Sequence, residues 1–239
     1  MDIHLTLLYA VIFTFAIAFI YSMFGQGGGS VYSPLLILFG YPILLATSTS
    51  LVLNLITSLS AGYIFYRNKM IDYKTSFIFA PGISIGAFLG GALSRYFNTT
   101  LLLWIFVFFL LAVGARMIYA YWEKGKASEV MPGNFSLGMY ALIAGFGLVV
   151  GFIAGLLGVG GGIFIVPFMV YVCKYPTKIA AGSSHLIISF SALAGILGHA
   201  TSHEFDIPLI LLTGVAVLIG GYLGARISMK FKTKTIRAG

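Results

Sequence analysis

Nine apolar segments follow one another along this chain: Leu5–Phe24, Val31–Phe39, Ile43–Tyr66, Thr75–Ser94, Leu101–Tyr121, Leu137–Leu157, Ile163–Cys173, Ile179–Gly198 and Ile207–Ser228. Crossing about 30 Å of hydrocarbon takes about 20 helical residues. All but Val31–Phe39 and Ile163–Cys173 approach that length. Backbone N–H and C=O groups find no water in lipid, so such runs satisfy themselves as helices. Only 8% of the residues are charged and 59% are hydrophobic, whereas a soluble domain carries about 25% charged residues. The expected fold is therefore an all-α polytopic membrane protein with the lipid bilayer as its surroundings. Leu5–Phe24 lacks the basic stretch of a signal peptide and is followed by further spans, so it reads as a retained segment.

A repeat organises the segments. GQGGGSVYSP at Gly25–Pro34 aligns with GVGGGIFIVP at Gly158–Pro167, 133 positions later. At a spacing of 134, Pro42 meets Pro176, Ser50 meets Ser184, and GAFLGG at Gly86–Gly91 meets GGYLGA at Gly220–Ala225. Agreement at one spacing across some sixty residues implies an internal duplication. The repeats are read as residues 1–96 and 135–228. Residues 97–134 form a linker helix and cytoplasmic loop, and residues 229–239 a basic tail. Both short apolar segments directly follow a glycine cluster, so each repeat contains either a broken helix or a re-entrant hairpin.

Lys and Arg set the orientation, because cytoplasmic connections are enriched in them. Basic groups recur at Arg67, Lys69 and Lys74, at Lys124 and Lys126, at Lys174 and Lys178, and in the tail from Lys230. All fall on one side if each glycine-broken pair returns the chain to the side it came from. The repeats then have inverted topology, with the amino terminus outside and the carboxyl terminus cytoplasmic. Inverted repeats with broken helices recur in transporters, where the site lies at the repeat interface near the midplane. The net charge of +8 follows from this orientation bias, and nucleic acid is not expected as a partner.

The glycine loops are the strongest local signal for a site. Gly25, Gly27, Gly28 and Gly29 correspond to Gly158, Gly160, Gly161 and Gly162. Consecutive glycines free amide N–H groups, and a helix starting after them turns its positive end toward an anion. No Lys-Ser or Lys-Thr pair follows, which excludes a phosphate-binding P-loop, and no strand precedes, which excludes a dinucleotide fingerprint. Close helix packing of small residues is the competing explanation. Gln26 and Ser30 sit in the first loop, whereas Val159 and Ile163 occupy the matching places in the second, so the scaffold is chemically asymmetric. Thr47, Ser48, Thr49, Ser50 and Asn54 in the first repeat, and Ser183, Ser184 and His185 in the second, add hydrogen-bonding groups without net charge. Hydroxyls in membrane helices also bond back to their own preceding turn. His185 is the ionisable residue deepest in a span and a candidate proton relay or anion contact. His199, His203, Glu204 and Asp206 resemble a metal-binding run but read as a solvated connection, and no metal or cofactor is expected. Arg116 and Arg226 lie near the cytoplasmic ends of their segments. Cys173 is the only cysteine, which excludes an internal disulfide.

On GQGGGSVYSPLL at Gly25–Leu36, GLLGVGGGIFIVPFM at Gly155–Met169 and the paired glycine stretches, the chain resembles the sulfite exporter TauE/SafE family along nearly its whole length. The resemblance implies export of sulfite or organosulfonates, or uptake of other small anions, with Gly25–Ser30 and Gly158–Ile163 flanking a central anion site. The resulting expectation is a carrier for a small anionic solute, with a passive anion channel or an uptake permease as the alternatives. No segment offers a nucleophile–base pair or acidic dyad, so an enzyme is not expected. The candidate substrate-binding residues are Gly25, Gln26, Gly27, Gly28, Gly29, Ser30, Ser50, Asn54, Gly158, Gly160, Gly161, Gly162, Ser183, Ser184 and His185.

Overall fold

A computed structural model of the chain describes residues 3–98, 100–105, 107–108, 111, 115, 135–200 and 205–231. The helices are α1 Ile3–Met23, α2 Gly29–Leu38, α3 Ile43–Arg67, α4 Tyr73–Ser94, α5 Leu137–Leu157, α6 Gly162–Pro167, α7 Thr177–His199 and α8 Ile207–Lys230, and residues 100–105 are helical as well. α6 runs directly into a π-helical turn, Phe168–Val172. Five helices, α3, α4, α5, α7 and α8, are long and apolar enough to cross a bilayer. α2, at 10 residues, rises about 15 Å and spans only half the hydrocarbon. Most of the expected segment Leu101–Tyr121, with Arg116, the 122–134 connection, His203, Glu204 and the tail beyond Phe231, lies outside the described residues.

Helix ends follow from local chemistry. Asp72 caps α4 by accepting the Thr75 N–H at 2.9 Å, and Asp206 caps α8 by accepting the Leu209 N–H at 3.0 Å. Such caps satisfy donors that a helix start leaves unpaired. Pro42 and Pro176 occupy the same position before α3 and α7. Pro167 ends α6 and supplies no N–H, and the π-helical turn begins at the next residue. Between α2 and α3 the chain turns at Gly40 (φ 90°), and between the π turn and α7 it turns at Lys174 (φ 62°). These two positions are 134 apart.

The packing is crossed. α4 lies against α5 and α7, α8 lies against α1 and α3, and α3 meets α7 in the middle. α3 and α7 are the most enclosed of the long helices. Glycines permit the close approaches: Gly82, Gly86 and Gly90 sit on the Ala144, Leu148 and Phe152 carbonyls of α5, and Gly220 and Gly224 sit on the Phe15 and Phe19 carbonyls of α1. Without a hydrophobic driving force between helices in lipid, such van der Waals contact is a principal source of association. The outward faces carry apolar side chains such as Phe88, Leu89, Leu211, Leu212 and Val215, as a lipid-facing surface requires.

Three connections gather at one end. Tyr175, between the π turn and α7, donates its hydroxyl to Asp72 Oδ2 at 2.7 Å, and Lys178 Nζ donates to the Met229 carbonyl near the end of α8 at 3.3 Å. Burial, with Asp72 adding to it, holds the Tyr175 hydroxyl above its ordinary pKa, so it remains a donor. Arg67, Lys69, Lys74, Lys174, Lys178 and Lys230 therefore belong to one end of the molecule. Tyr41 and Leu209 pack together at the other.

Candidate functional site

The two glycine loops lie in the interior and adopt the same backbone. Gly25, Gly27 and Gly28 have φ of 78°, 74° and 102°; Gly158, Gly160 and Gly161 have 72°, 73° and 80°. This left-handed region costs a side-chain-bearing residue about 1–2 kcal/mol, which accounts for glycine at all six positions. The conformation turns the chain from α1 into α2 and from α5 into α6. Each second helix then begins with N–H groups that no preceding turn can satisfy. Among the described residues, the N–H groups of Gly27, Gly29 and Ser30, and of Gly160, Gly162 and Ile163, reach no protein acceptor.

Each loop is held by a long helix of the other half. Ser50 Oγ on α3 contacts the Gly158 carbonyl at 2.7 Å and the Gly29 carbonyl at 3.3 Å. At the equivalent place on α7, Ser184 Oγ donates to the Gly25 carbonyl and contacts the Ala181 carbonyl at 2.7 Å. Gly158 abuts Thr47 of α3, and Gly25 abuts Ala181 of α7. The loops also touch each other: Gly29 faces the Val159 carbonyl and Gly162 faces the Gln26 carbonyl at 2.6 Å from where a Cβ would stand. Apart from the second contacts of Ser50 and Ser184, with Gly29 and Ala181 respectively, the two loops match across the 133- and 134-residue spacings.

Side chains break the match. Asn54 on α3 is fully buried and fills the space beside Gly27, Gly29 and Gly160, donating Nδ2 to the Val159 carbonyl at 3.1 Å. Its counterpart on α7 is Ile188, which lines Gly160 and Gly162 instead. Ser30 is buried at the start of α2, and Gln26 is partly exposed at the loop. His185 is buried one residue beyond Ser184, with Nε2 3.1 Å from the Ser22 carbonyl and its ring against Phe65 at 5.4 Å.

Gly25, Gln26, Gly27, Gly28, Gly29, Ser30, Ser50, Asn54, Gly158, Gly160, Gly161, Gly162 and Ser184 thus form one assembly about the loops, with His185 bordering it. Ser183 is engaged elsewhere: its Oγ accepts the Asp72 N–H at 2.8 Å in the connection between α3 and α4. His199 differs from its expected place in a solvated connection. It ends α7, fully buried, with Nε2 2.9 Å from the Gly155 carbonyl. Asp206 is a helix cap, and the described residues contain no group of His, Cys, Asp and Glu side chains suited to a metal.

Sequence reasoning missed Ser58, one turn beyond Asn54 on the same face of α3, whose buried Oγ also borders Gly27. It also missed the Asp72–Tyr175 pair, although the spacing of 134 that relates it to Asp206 and Tyr41 was available.

Five membrane-length helices packed about two buried glycine loops, with backbone donors left unpartnered among the described residues, fit the class of membrane transporters. The sequence model of the sulfite exporter TauE/SafE family matches residues 10–239, and the chain belongs to that family of transporters, named for a small oxyanion. It is not an enzyme. It is similar to the probable membrane transporter protein YunE of Bacillus subtilis (strain 168), 30% identical over 90% of this chain and 86% of that one. A probable membrane transporter protein of Methanocaldococcus jannaschii is 26% identical over 95% of this chain and 88% of its own. YdhB of Bacillus subtilis, also a probable membrane transporter protein, is 27% identical over 90% and 88%. No solved structure matches the chain.

Proposed function

We propose that this protein is a carrier for small sulfur-containing anions that exports sulfite or an organosulfonate by alternating access. Its moving parts are two inverted repeats, residues 1–96 and 135–228, joined by the 97–134 linker and followed by the basic tail 229–239. The observation that carries this reading is the crossed support of the loops, with Ser50 of one half on Gly158 of the other and Ser184 on Gly25. Hydrogen bonds between membrane helices contribute about 0.6 kcal/mol on average and up to about 1.7, so such a junction can part and reform. The crossed packing of α4 on α5 and α8 on α1 is what two interlocked halves would give.

The unpartnered N–H groups supply partial positive charge without burying a full cation, as suits an anion that must leave as well as bind. The candidate ligands are Gly25, Gln26, Gly27, Gly28, Gly29, Ser30, Gly158, Gly160, Gly161 and Gly162 with Ser50, Asn54, Ser184 and His185. The gathering of basic residues at one end supports a cytoplasmic carboxyl terminus and an outside amino terminus. An inside-negative membrane potential favours anion efflux by about 2.3 kcal/mol per charge per 100 mV.

Labelled sulfite counterflow in proteoliposomes tests the proposal. A carrier exchanges labelled for unlabelled anion across the membrane, and the most effective unlabelled anion identifies the substrate class. Uptake without exchange indicates a channel; no specific flux of any small anion from folded protein overturns the assignment.

A further inference from the structure

The loops match, but the buried polar atoms around them do not. Asn54 Oδ1 and Ser58 Oγ are buried and have no hydrogen-bond partner among the described residues. They stand one turn apart on α3. A side chain begun at Gly27 would run into Asn54 Oδ1 and lie 3.1 Å from Ser58 Oγ, so both atoms border the same face of that glycine. The same face of α3 continues to Gly62, where the His185 Cβ lies 3.6 Å from the site of a side chain, and on toward Arg67. At the corresponding positions of the other half stand Ile188, Ala192 and Ile196, which offer no hydrogen-bonding side chain.

The amide of Asn54 has its orientation imposed. The Val159 carbonyl can only accept, so the Asn54 atom facing it must be the NH2 group and the atom beside Gly27 must be the oxygen. That oxygen accepts and cannot donate. Leaving it unsatisfied in the interior costs about 1–3 kcal/mol. Beside it are donors: the Ser58 hydroxyl and the free N–H of Gly27. A fully deprotonated oxyanion satisfies the donors and is repelled by the Asn54 oxygen. An oxyanion that retains one proton satisfies both.

Resting on the anion-carrier reading above, we propose that the substrate subsite lies off the loop junction, on the Gly27–Asn54–Ser58 face toward the Arg67 end of α3. Its ligand is a small oxyanion that keeps one hydroxyl proton and donates it to Asn54 Oδ1. Ser58 and the Gly27 N–H donate to its remaining oxygens. The corresponding positions of the other half, Ile188 and Ala192, lie outside the subsite.

The test is counterflow of labelled sulfite with two unlabelled competitors, sulfite in its monoprotonated range and methanesulfonate, whose methyl group removes the proton donor. Wild-type protein should accept methanesulfonate at least about tenfold less well, because a site built to bond a hydroxyl rejects the analogue lacking it. Asn54→Leu should collapse that gap to less than about threefold. Ser58→Ala should raise the half-saturation for both competitors about tenfold while Ala192→Ser leaves both unchanged. Ser58 Oγ makes no hydrogen bond among the described residues, so this variant keeps the test decisive where Asn54→Leu fails to fold. Equal acceptance of the two competitors by wild type overturns the protonated ligand, whether a water or nothing satisfies Asn54. Equal effects of Ser58→Ala and Ala192→Ser overturn the off-centre position. Absence of counterflow in wild type overturns the carrier reading itself, an outcome distinct from both.

Discussion

Alanine at Gly160 separates backbone strain from packing at the loop junction. Gly160 has φ of 73°, and a Cβ there collides with Asn54 Nδ2 and approaches Ile188 Cγ2 to 3.3 Å. Gly40 has φ of 90°, and a Cβ there meets nothing within 4 Å. Gly40→Ala therefore carries strain alone, about 1–2 kcal/mol. Gly160→Ala adds overpacking of about 1–3 kcal/mol to the same strain, for a total of about 2–5. The extra cost arises because Asn54 must swing away and abandon the Val159 carbonyl. Equilibrium unfolding in mixed micelles measures both variants, and counterflow measures activity. Gly160→Ala should be the less stable and should lose at least about tenfold in exchange rate, with Gly40→Ala staying within about twofold. Combining Gly160→Ala with Asn54→Ala should recover about 1 kcal/mol of the sum of the single losses, since contacting residues couple by about 0.5–3 kcal/mol. Equal losses for Gly40→Ala and Gly160→Ala, with no coupling to Asn54, would refute the packed junction.

Four further outcomes are expected. Ser50→Ala and Ser184→Ala should each cost about 0.6–1.7 kcal/mol in unfolding experiments, and similar losses are the sign of equivalent roles. Gly62→Ala should be neutral or slightly stabilising, because its Cβ would make only an ordinary 3.6 Å contact and alanine favours helix by up to about 1 kcal/mol. Tyr175→Phe should remove bonds to Asp72 and Thr75 at about 1–3 kcal/mol, whereas Tyr41→Phe should cost little. Because folding raises the Tyr175 pKa above about 10, its contribution is intact below that pH and declines as pH rises beyond it, a decline that Tyr175→Phe should lessen in pH-dependent unfolding. For topology, Arg67→Cys should react with an impermeant thiol reagent from the cytoplasmic side and Tyr96→Cys from the outside. Cys173 is buried and should stay silent; reaction of both variants from one side would refute the assigned orientation.

Much of the fold was legible because glycine, proline and long apolar runs report directly on backbone. Left-handed φ at Gly25, Gly27 and Gly28, repeated at Gly158, Gly160 and Gly161, is what glycine spacing encodes. Segment bounds agreed to within about two residues because caps such as Asp72 and Asp206 lie where polar sequence meets apolar. Asn54 was recognisable because an amide in lipid needs partners. Ser58 was not: a serine in a membrane helix ordinarily bonds its own preceding turn, and only the placement of Gly27 reveals that this one does not. Ser183 was misdirected by its neighbour, since Ser184 faces the loop and the adjacent residue necessarily points about 100° away. His199 was read as solvated because Thr201–Asp206 is polar in sequence; α7 instead continues to it, and the Gly155 carbonyl gives its ring an interior partner.

In the proposed carrier, crossed support also bears on why two matching loops should carry unequal side chains. If each loop were held by its own half, the halves could move apart with both loops intact, and binding would not depend on their relation. Here α3 holds the second loop and α7 the first, so any displacement of α3 against α7 disturbs both junctions together. In the proposed carrier, a ligand on the first loop and Asn54, whose amide also holds the Val159 carbonyl of the second loop, would contribute free energy to one arrangement of the halves and not the other, which is what a ligand must do to shift an equilibrium between states. A ligand seated symmetrically on both junctions would favour the two arrangements equally and shift nothing. Asn54 opposite Ile188, and Ser58 opposite Ala192, give the scaffold the inequality that coupling between binding and movement requires.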